Sequence, residues 1–278
     1  MDHRPTFAMV PTDAELRTVP RDLSYHPSPV RTPRTLTAEQ VARFDRDGHL
    51  SGLRIFAPDE IAAHRAYFDD LLARVLATGG DSYSISTAHL RYAPVYDLLR
   101  EPRIVAVVRD LLGDDVVAWG SHYFCKMPGD GKVVDWHQDA SYWPLTPAKT
   151  VTVWLAIDDA RVDNACMRYI PGTHRLGHLT YALNEGASDA VLPQSVAGAE
   201  SLGTPIDVEL DAGMVAIHSD LLLHGSRANT STRRRCGLTL RYCAADVRAG
   251  LGWAEKGTVV AGRDRDGHWG DPPRPTGR

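Results

Sequence analysis

Apolar positions recur at helical spacing through the first 113 residues and at strand spacing beyond them. A helix is expected from Thr37, where Thr-x-x-Gln (Thr37, Gln40) forms a capping signal, Leu36 precedes the cap, and Val41 and Phe44 share an inward face. Gly48 closes it. A second helix is expected from Pro58 to about Ala77, with Ile61, Phe68, Leu71, Leu72 and Val75 on one face and Gly79-Gly80 as its stop. A third covers Pro102 to Leu112 and ends at Gly113. The texture then turns to short β-branched and aromatic runs: Val116 to Trp119, Thr150 to Ile157, Met214 to His218 and Leu238 to Tyr242. In the last of these Leu238, Leu240 and Tyr242 alternate with Thr239 and Arg241. Helices first and strands afterwards predict one α+β domain, with helices packed on one side of an antiparallel β-core. Residues 1–35 carry six prolines and no sustained apolar period, which reads as an arm laid on that domain. Residues 262–278, rich in Gly, Pro, Arg and Asp, read as a surface tail or a cover over a cleft.

Composition narrows the function classes. A formal net charge of -4 over 278 residues gives no reason to expect nucleic acid or an anionic membrane as partner. No run of residues is apolar enough to span a bilayer, and the N-terminus lacks the apolar core of a signal peptide. Cys125, Cys166, Cys236 and Cys243 contain no C-x-x-C pair, so they read as buried thiols in a reducing cytoplasm and not as a zinc ribbon. The expectation is a cytoplasmic enzyme or binding protein for a small molecule; nothing in the sequence speaks to its oligomeric state.

The chemistry concentrates in Val134-Asp-Trp-His-Gln-Asp-Ala-Ser-Tyr-Trp143. In an extended strand His137 and Asp139 face the same side about 6.6 Å apart, so an imidazole and a carboxylate converge on one metal. A second histidine from another strand completes the two-His, one-carboxylate facial set of non-haem iron oxygenases, which leaves coordination positions open. His224, before Gly225, is the natural candidate. A lone His-x-Asp is weak evidence, because a chain with 12 histidines carries about one by chance. His218-Ser-Asp220 is the competitor. If 217–224 were extended, His218 and His224 would stand about 20 Å apart, and Leu221-Leu222-Leu223 offers no turn chemistry. His218 and Asp220 are therefore read as structural.

Four segments in order, Trp136-His-Gln-Asp139, Val151-Thr-Val-Trp-Leu-Ala-Ile-Asp-Asp159, Tyr169-Ile-Pro-Gly-Thr-His-Arg175 and His224-Gly-Ser-x-x-Asn229, resemble the phytanoyl-CoA dioxygenase family over about residues 36–245. The resemblance implies a double-stranded β-helix (jelly-roll, cupin-like) core with Fe(II) at its open end, and 2-oxoglutarate and O2 as cosubstrates giving succinate and CO2. It implies an oxygenase domain at 36–261, with a helical part at 36–113 and the jelly-roll at about 114–250. His137, Asp139 and His224 match its iron ligands. Arg235, eleven places beyond His224, matches the arginine that holds the far carboxylate of 2-oxoglutarate; Ser226, Trp154 and His122 match positions that wall that pocket. Two departures stand out: Ala165 after Asn164 where many relatives have glycine, and Thr173 in place of serine. Asp139 fills the place a halide would need, which argues against halogenation.

Each of these residues also has a plain reading. Arg233-Arg234-Arg235 is a charge run, of which at most one member should be buried while Arg233 and Arg234 are solvated. Trp154 in an apolar strand reads as core on composition alone, and Asn164 and His174 read as turn residues. Lys126, Tyr142 and Trp143 are candidates for the substrate cavity. The functional expectation is hydroxylation, or another oxidation such as desaturation, epimerisation or ring formation, of a small organic molecule. The alternative is a non-catalytic jelly-roll that binds a small molecule without turnover.

Overall fold

The capping chemistry of the first half produces its helices where the pattern puts them. Thr37 and Gln40 exchange side-chain and backbone bonds to open Ala38–Asp47, which Gly48 closes in the left-handed conformation. Pro58–Ala77 and Pro102–Leu112 both begin on a proline whose missing N–H costs nothing at a first turn. Two short helices, Asp13–Arg17 and Ala93–Leu99, were too brief for periodicity to reveal. The computed structural model describes residues 11–184 and 191–277.

Two antiparallel sheets face each other to form the double-stranded β-helix. The larger has the order His49–Arg54, Met214–Ser219, Thr150–Ala156, Arg235–Ala244, Val116–Lys126, Thr258–Ala261. The smaller has the order Val134–His137, His224–Ser226, Met167–Tyr169, Ile206–Val208. The core thus draws on two strands outside 114–250, and Val116–Lys126 is longer than its apolar start suggested because its second half lines the barrel.

Alternation sorts the larger sheet into two buried faces. Val151, Val153, Leu155, Leu238, Leu240 and Tyr242 pack outward against Phe68, Leu71, Leu98 and Leu111 of the helices. Burying a side chain such as Phe68 contributes roughly 1.5–3 kcal/mol. Thr152, Trp154, Arg235, Thr239 and Arg241, on the opposite face, point into the barrel and line its cavity. The arm is tied down: the buried Asp110 carboxylate accepts the backbone N–H groups of Arg34, Thr35 and Leu36, and Arg21 donates to the carbonyls of Ala140 and Trp143. The tail is no loose surface strand either, since Trp269 is buried beside Trp119, Trp143 and Trp253.

Candidate active site

Strand register assembles the site. His224 pairs directly with His137 across the smaller sheet, which sets their rings 4.1 Å apart. His137 ends its strand, and Asp139 opens a short 3-10 turn instead of continuing it. His137 and Asp139 are therefore brought to one side by a turn after the strand, and not by two positions of one extended strand. Gln138, fully buried between them, holds the turn: its amide donates to the carbonyls of Leu221 and Gly177 and accepts from Leu179 N.

Candidate ligand atoms of His137, Asp139 and His224 all lie within 4.8 Å of one another, and all three side chains are buried. His137 Nδ1 donates to the Asp135 carbonyl at 2.8 Å, and His224 Nδ1 donates to the Leu222 carbonyl at 2.9 Å. Those bonds fix the tautomers, leaving both Nε2 lone pairs directed at Asp139, 3.9 Å from its Oδ1. Burial, reinforced by His224, pulls the His137 pKa down to about 3; burial, reinforced by His218, pulls His224 down to about 4. Both are neutral donors at pH 7. Burial pushes the Asp139 carboxyl up, but His218, His224 and Arg241 together hold it well below the usual carboxylate range. Its Oδ2 accepts from Thr152 Oγ1 at 2.8 Å, so Oδ1 is the atom left for a cation.

The three residues open onto a cavity of about 470 Å³ between the sheets. Arg235 is buried at one side of it. Its Nε donates to the Ala165 carbonyl at 2.9 Å, and its terminal nitrogens reach the Phe124 carbonyl at 3.2 Å and Ser226 Oγ at 3.4 Å. A guanidinium has five N–H donors, so three such bonds leave two for a guest. Among the described residues it forms no ion pair with a carboxylate, and a buried unpaired cation is costly unless a ligand brings the charge.

This chain matches the family model for phytanoyl-CoA dioxygenase (PhyH) over residues 44–237. The chain belongs to the phytanoyl-CoA dioxygenase family. It is 30% identical over 193 residues to a probable alpha-ketoglutarate-dependent hypophosphite dioxygenase of Stutzerimonas stutzeri, covering 64% of each chain. It is 26% identical over 259 residues to an ectoine dioxygenase of Nocardia farcinica, covering 82% of this chain and 85% of that one. The chain spans 64% and 56% of the length of the first two curated relatives it matches. Among solved structures, the non-heme monooxygenase ThoJ aligns over 85% of this chain and 88% of its own with a TM-score of 0.73 and 26% identity. CytC3, solved with Fe(II) and alpha-ketoglutarate, aligns over 89% of this chain and 98% of its own with a TM-score of 0.61 and 25% identity. The family is one of Fe(II)- and 2-oxoglutarate-dependent oxygenases, and the two-sheet core is its jelly-roll.

Within this family framework the cavity also takes in the other expected residues. Ser226, Trp154 and His122 all line it, with the Trp154 ring 5.5 Å from the Arg235 guanidinium carbon. Trp154 is both core and wall, being 1% exposed. Gly237 is required opposite it: a Cβ there would fall 2.0 Å from the indole. Gly237→Ala should therefore cost about 1–3 kcal/mol by overpacking and weaken 2-oxoglutarate binding by displacing Trp154. A thermal melt within a degree of the parent protein would refute that account. Ala165, the departure from the family's glycine, adopts φ 70 and uses its carbonyl to hold Arg235.

Other expectations need correction. His218 is not remote from His224: the rings are 4.4 Å apart, because the chain turns sharply with Leu222 N bonded to Ser219 O and Leu221 N to Ser219 Oγ. Ser219 supplies the turn chemistry that the leucines lack. His218 Nε2 stands 3.5 Å from Asp139 Oδ2 without a hydrogen bond, while its Nδ1 meets Tyr169 OH at 3.1 Å, so the ring lies beside the carboxylate that Thr152 orients. Arg234 is not solvated; it pairs with Asp158 and Asp69 over the Phe68 ring. Lys126 does not line the cavity; its ammonium is buried against the carbonyls of Lys132 and Arg227. Tyr142 and Trp143 do line it. Sequence reasoning missed Thr152, Trp119, Trp253 and Lys256 as cavity residues, whereas the alternation of the last strand had put Arg241 on the inward face with Arg235. A threonine inside an otherwise apolar strand was a usable signal for the first; nothing local marked the last two.

Proposed function

We propose that this protein is an Fe(II)- and 2-oxoglutarate-dependent dioxygenase that oxidises a small organic molecule, with His137, Asp139 and His224 as iron ligands. The observation that carries this reading is one cavity holding both a buried His-Asp-His set with its tautomers fixed and a buried arginine with two donors to spare. Two neutral imidazoles and one carboxylate suit Fe(II) and leave three positions for other ligands. Iron with 2-oxoglutarate and O2 supplies the oxidising power for attack on a C–H bond, with succinate and CO2 released. The chain's own part is placement and exclusion. Arg235 receives the far carboxylate of 2-oxoglutarate in a bidentate grip that Ser226 and Trp154 orient. Thr152 keeps Asp139 aimed, and His218 beside it helps to keep it ionised. The apolar and aromatic walls keep water from the reacting centre.

The relatives support the reaction class and differ in substrate, as their names show. An aromatic-lined space of about 470 Å³ is far larger than hypophosphite requires, which favours an organic substrate. We place the protein in the cytoplasm, a reading supported by four buried, unpaired cysteines. No helix among the described residues is long and apolar enough to cross a membrane.

Purified protein loaded with Fe(II) should convert 2-oxoglutarate to succinate slowly alone and faster with its substrate. Calorimetry showing no 2-oxoglutarate binding to the iron-loaded protein, together with no succinate release, would favour the non-catalytic binding protein.

A further inference from the structure

The segment at 85–87 runs beside the second half of the Val116–Lys126 strand. Tyr123 N–H donates to the Ile85 carbonyl at 3.0 Å, and Thr87 N–H donates to the Ser121 carbonyl at 2.7 Å. Ser86 stands directly opposite His122 in an antiparallel bridge. Residues opposite one another share a face of a sheet. Ser86 therefore begins an inward row that continues through His122, Thr239 and Trp154 on the neighbouring strands. All four line the cavity.

An extended chain would turn the next residue, Thr87, to the opposite face. Thr87 lines the cavity all the same, because its backbone is left-handed, with φ 51. A β-branched residue seldom adopts that conformation, in which its Cβ crowds the following carbonyl. Strain of this kind persists where the surrounding structure over-determines it, and it clusters at ligand-binding walls. Thr87 also precedes the 3-10 turn Ala88–Leu90, a place where a threonine hydroxyl commonly caps the next N–H groups; here it makes no such bond. The side chain is 7% exposed, and among the described residues its hydroxyl has no hydrogen-bond partner. The Ser86 hydroxyl beside it has none either. Burial, reinforced by Arg241, pulls the pKa of the adjoining His122 down to about 3, so that imidazole is neutral at pH 7. This stretch of wall thus offers the cavity uncharged hydrogen-bonding groups, one of them turned inward at the cost of backbone strain.

We propose that Thr87, with Ser86 beside it, receives an uncharged oxygen group of the substrate, a hydroxyl or a carbonyl, and selects for molecules that carry one. The apolar remainder of such a substrate lies against the aromatic wall of Trp119, Tyr142 and Trp143. This deepens the proposed function and rests on it. The threonine hydroxyl suits either group, since it donates to a carbonyl and both donates to and accepts from another hydroxyl. A wall built to bond an oxygen discriminates against the analogue that lacks it, because its own polar groups are then left unpaired.

The test uses the full chain, loaded with Fe(II) and 2-oxoglutarate under anaerobic conditions. The probes are 1-phenylethanol and ethylbenzene, which share a carbon skeleton and differ by one hydroxyl, and their dissociation constants are read by ligand-observed NMR. Thr87→Val keeps the shape and the β-branch. It should weaken 1-phenylethanol about five- to tenfold, the worth of one hydrogen bond, and leave ethylbenzene within about twofold. Thr87→Ser should bind both probes like the parent. Thr87→Gly should lose the same discrimination yet melt above Thr87→Ala, the reverse of the usual order, because only glycine is unstrained at a left-handed φ. Equal losses for the two probes in Thr87→Val, no loss for 1-phenylethanol, or no binding of either probe by the parent overturns the proposal; so does a higher melt for Thr87→Ala than for Thr87→Gly, which removes the strain it rests on. Loss of 2-oxoglutarate binding in Thr87→Val would put the hydroxyl on the cosubstrate and overturn it as well. Calorimetry of 2-oxoglutarate on the iron-loaded parent keeps the two failures apart: no binding there sinks the oxygenase reading, whereas normal binding without probe discrimination sinks the Thr87 assignment alone.

Discussion

Asp139→Ala should lose tight iron binding and all iron-dependent turnover, while Asp220→Asn keeps its metal affinity within a few-fold. The two aspartates follow a histidine at the same spacing and lie close enough for their charges to interact. Their environments separate them. Asp139 is held ionised by His218, His224 and Arg241, and its Oδ1 faces two Nε2 lone pairs. Asp220 is buried with Ser219 as its side-chain partner at 3.4 Å; burial, reinforced by the charge of Asp139, pushes its pKa up to about 8. At pH 7 it is mostly a neutral acid and a poor ligand for a cation. Removing one of three protein ligands from an open coordination sphere should lower Fe(II) affinity by more than about 100-fold, beyond the 10–100-fold typical of losing an outer partner. Titration of the apo-protein with Fe(II) under anaerobic conditions reads both variants. The assignment fails if the Asp220 variant is the one that loses iron.

Arg235→Gln should raise the apparent KM for 2-oxoglutarate by the equivalent of about 2–5 kcal/mol, the usual cost of breaking a buried charge pair. Glutamine keeps a donor but neither the charge nor the fork. Arg233→Gln should leave that KM unchanged, because Arg233 is half-exposed and pairs with Asp163 at the surface. Arg234→Gln should act on stability instead, since it ties Asp158, which also accepts from Cys236 N at the start of the strand, to Asp69. A kinetic comparison of the three variants at saturating substrate separates these effects. A normal KM in the Arg235 variant would mean that the cosubstrate does not reach this end of the barrel.

Features governed by short-range chemistry were legible in the sequence. The Thr37 capping box, Pro58 and Pro102 at first turns, and Gly48 and Gly113 at helix ends act within one turn of chain, so the helices they bound were readable. The two-residue period of 235–244 likewise showed which side chains share a face, and hence that Arg235, Thr239 and Arg241 point together. The family motifs added the jelly-roll and the pairing of His137, Asp139 and His224, which spacing alone left open between two His-x-Asp pairs. Tertiary structure decided the rest, because it depends on which segments meet. Ser219 reverses the chain within three residues and brings His218 against Asp139 from behind, where an extended reading placed it about 20 Å from His224. Arg234 and Lys126 found partners far along the chain, so one was drawn out of solvent and the other away from the cavity. The cationic aromatic end of the cavity joins Trp119, Trp143, Arg241, Trp253 and Lys256 from four separate segments. No local period encodes that meeting; it exists only once the two sheets close and the chain after the last long strand folds back over their open end.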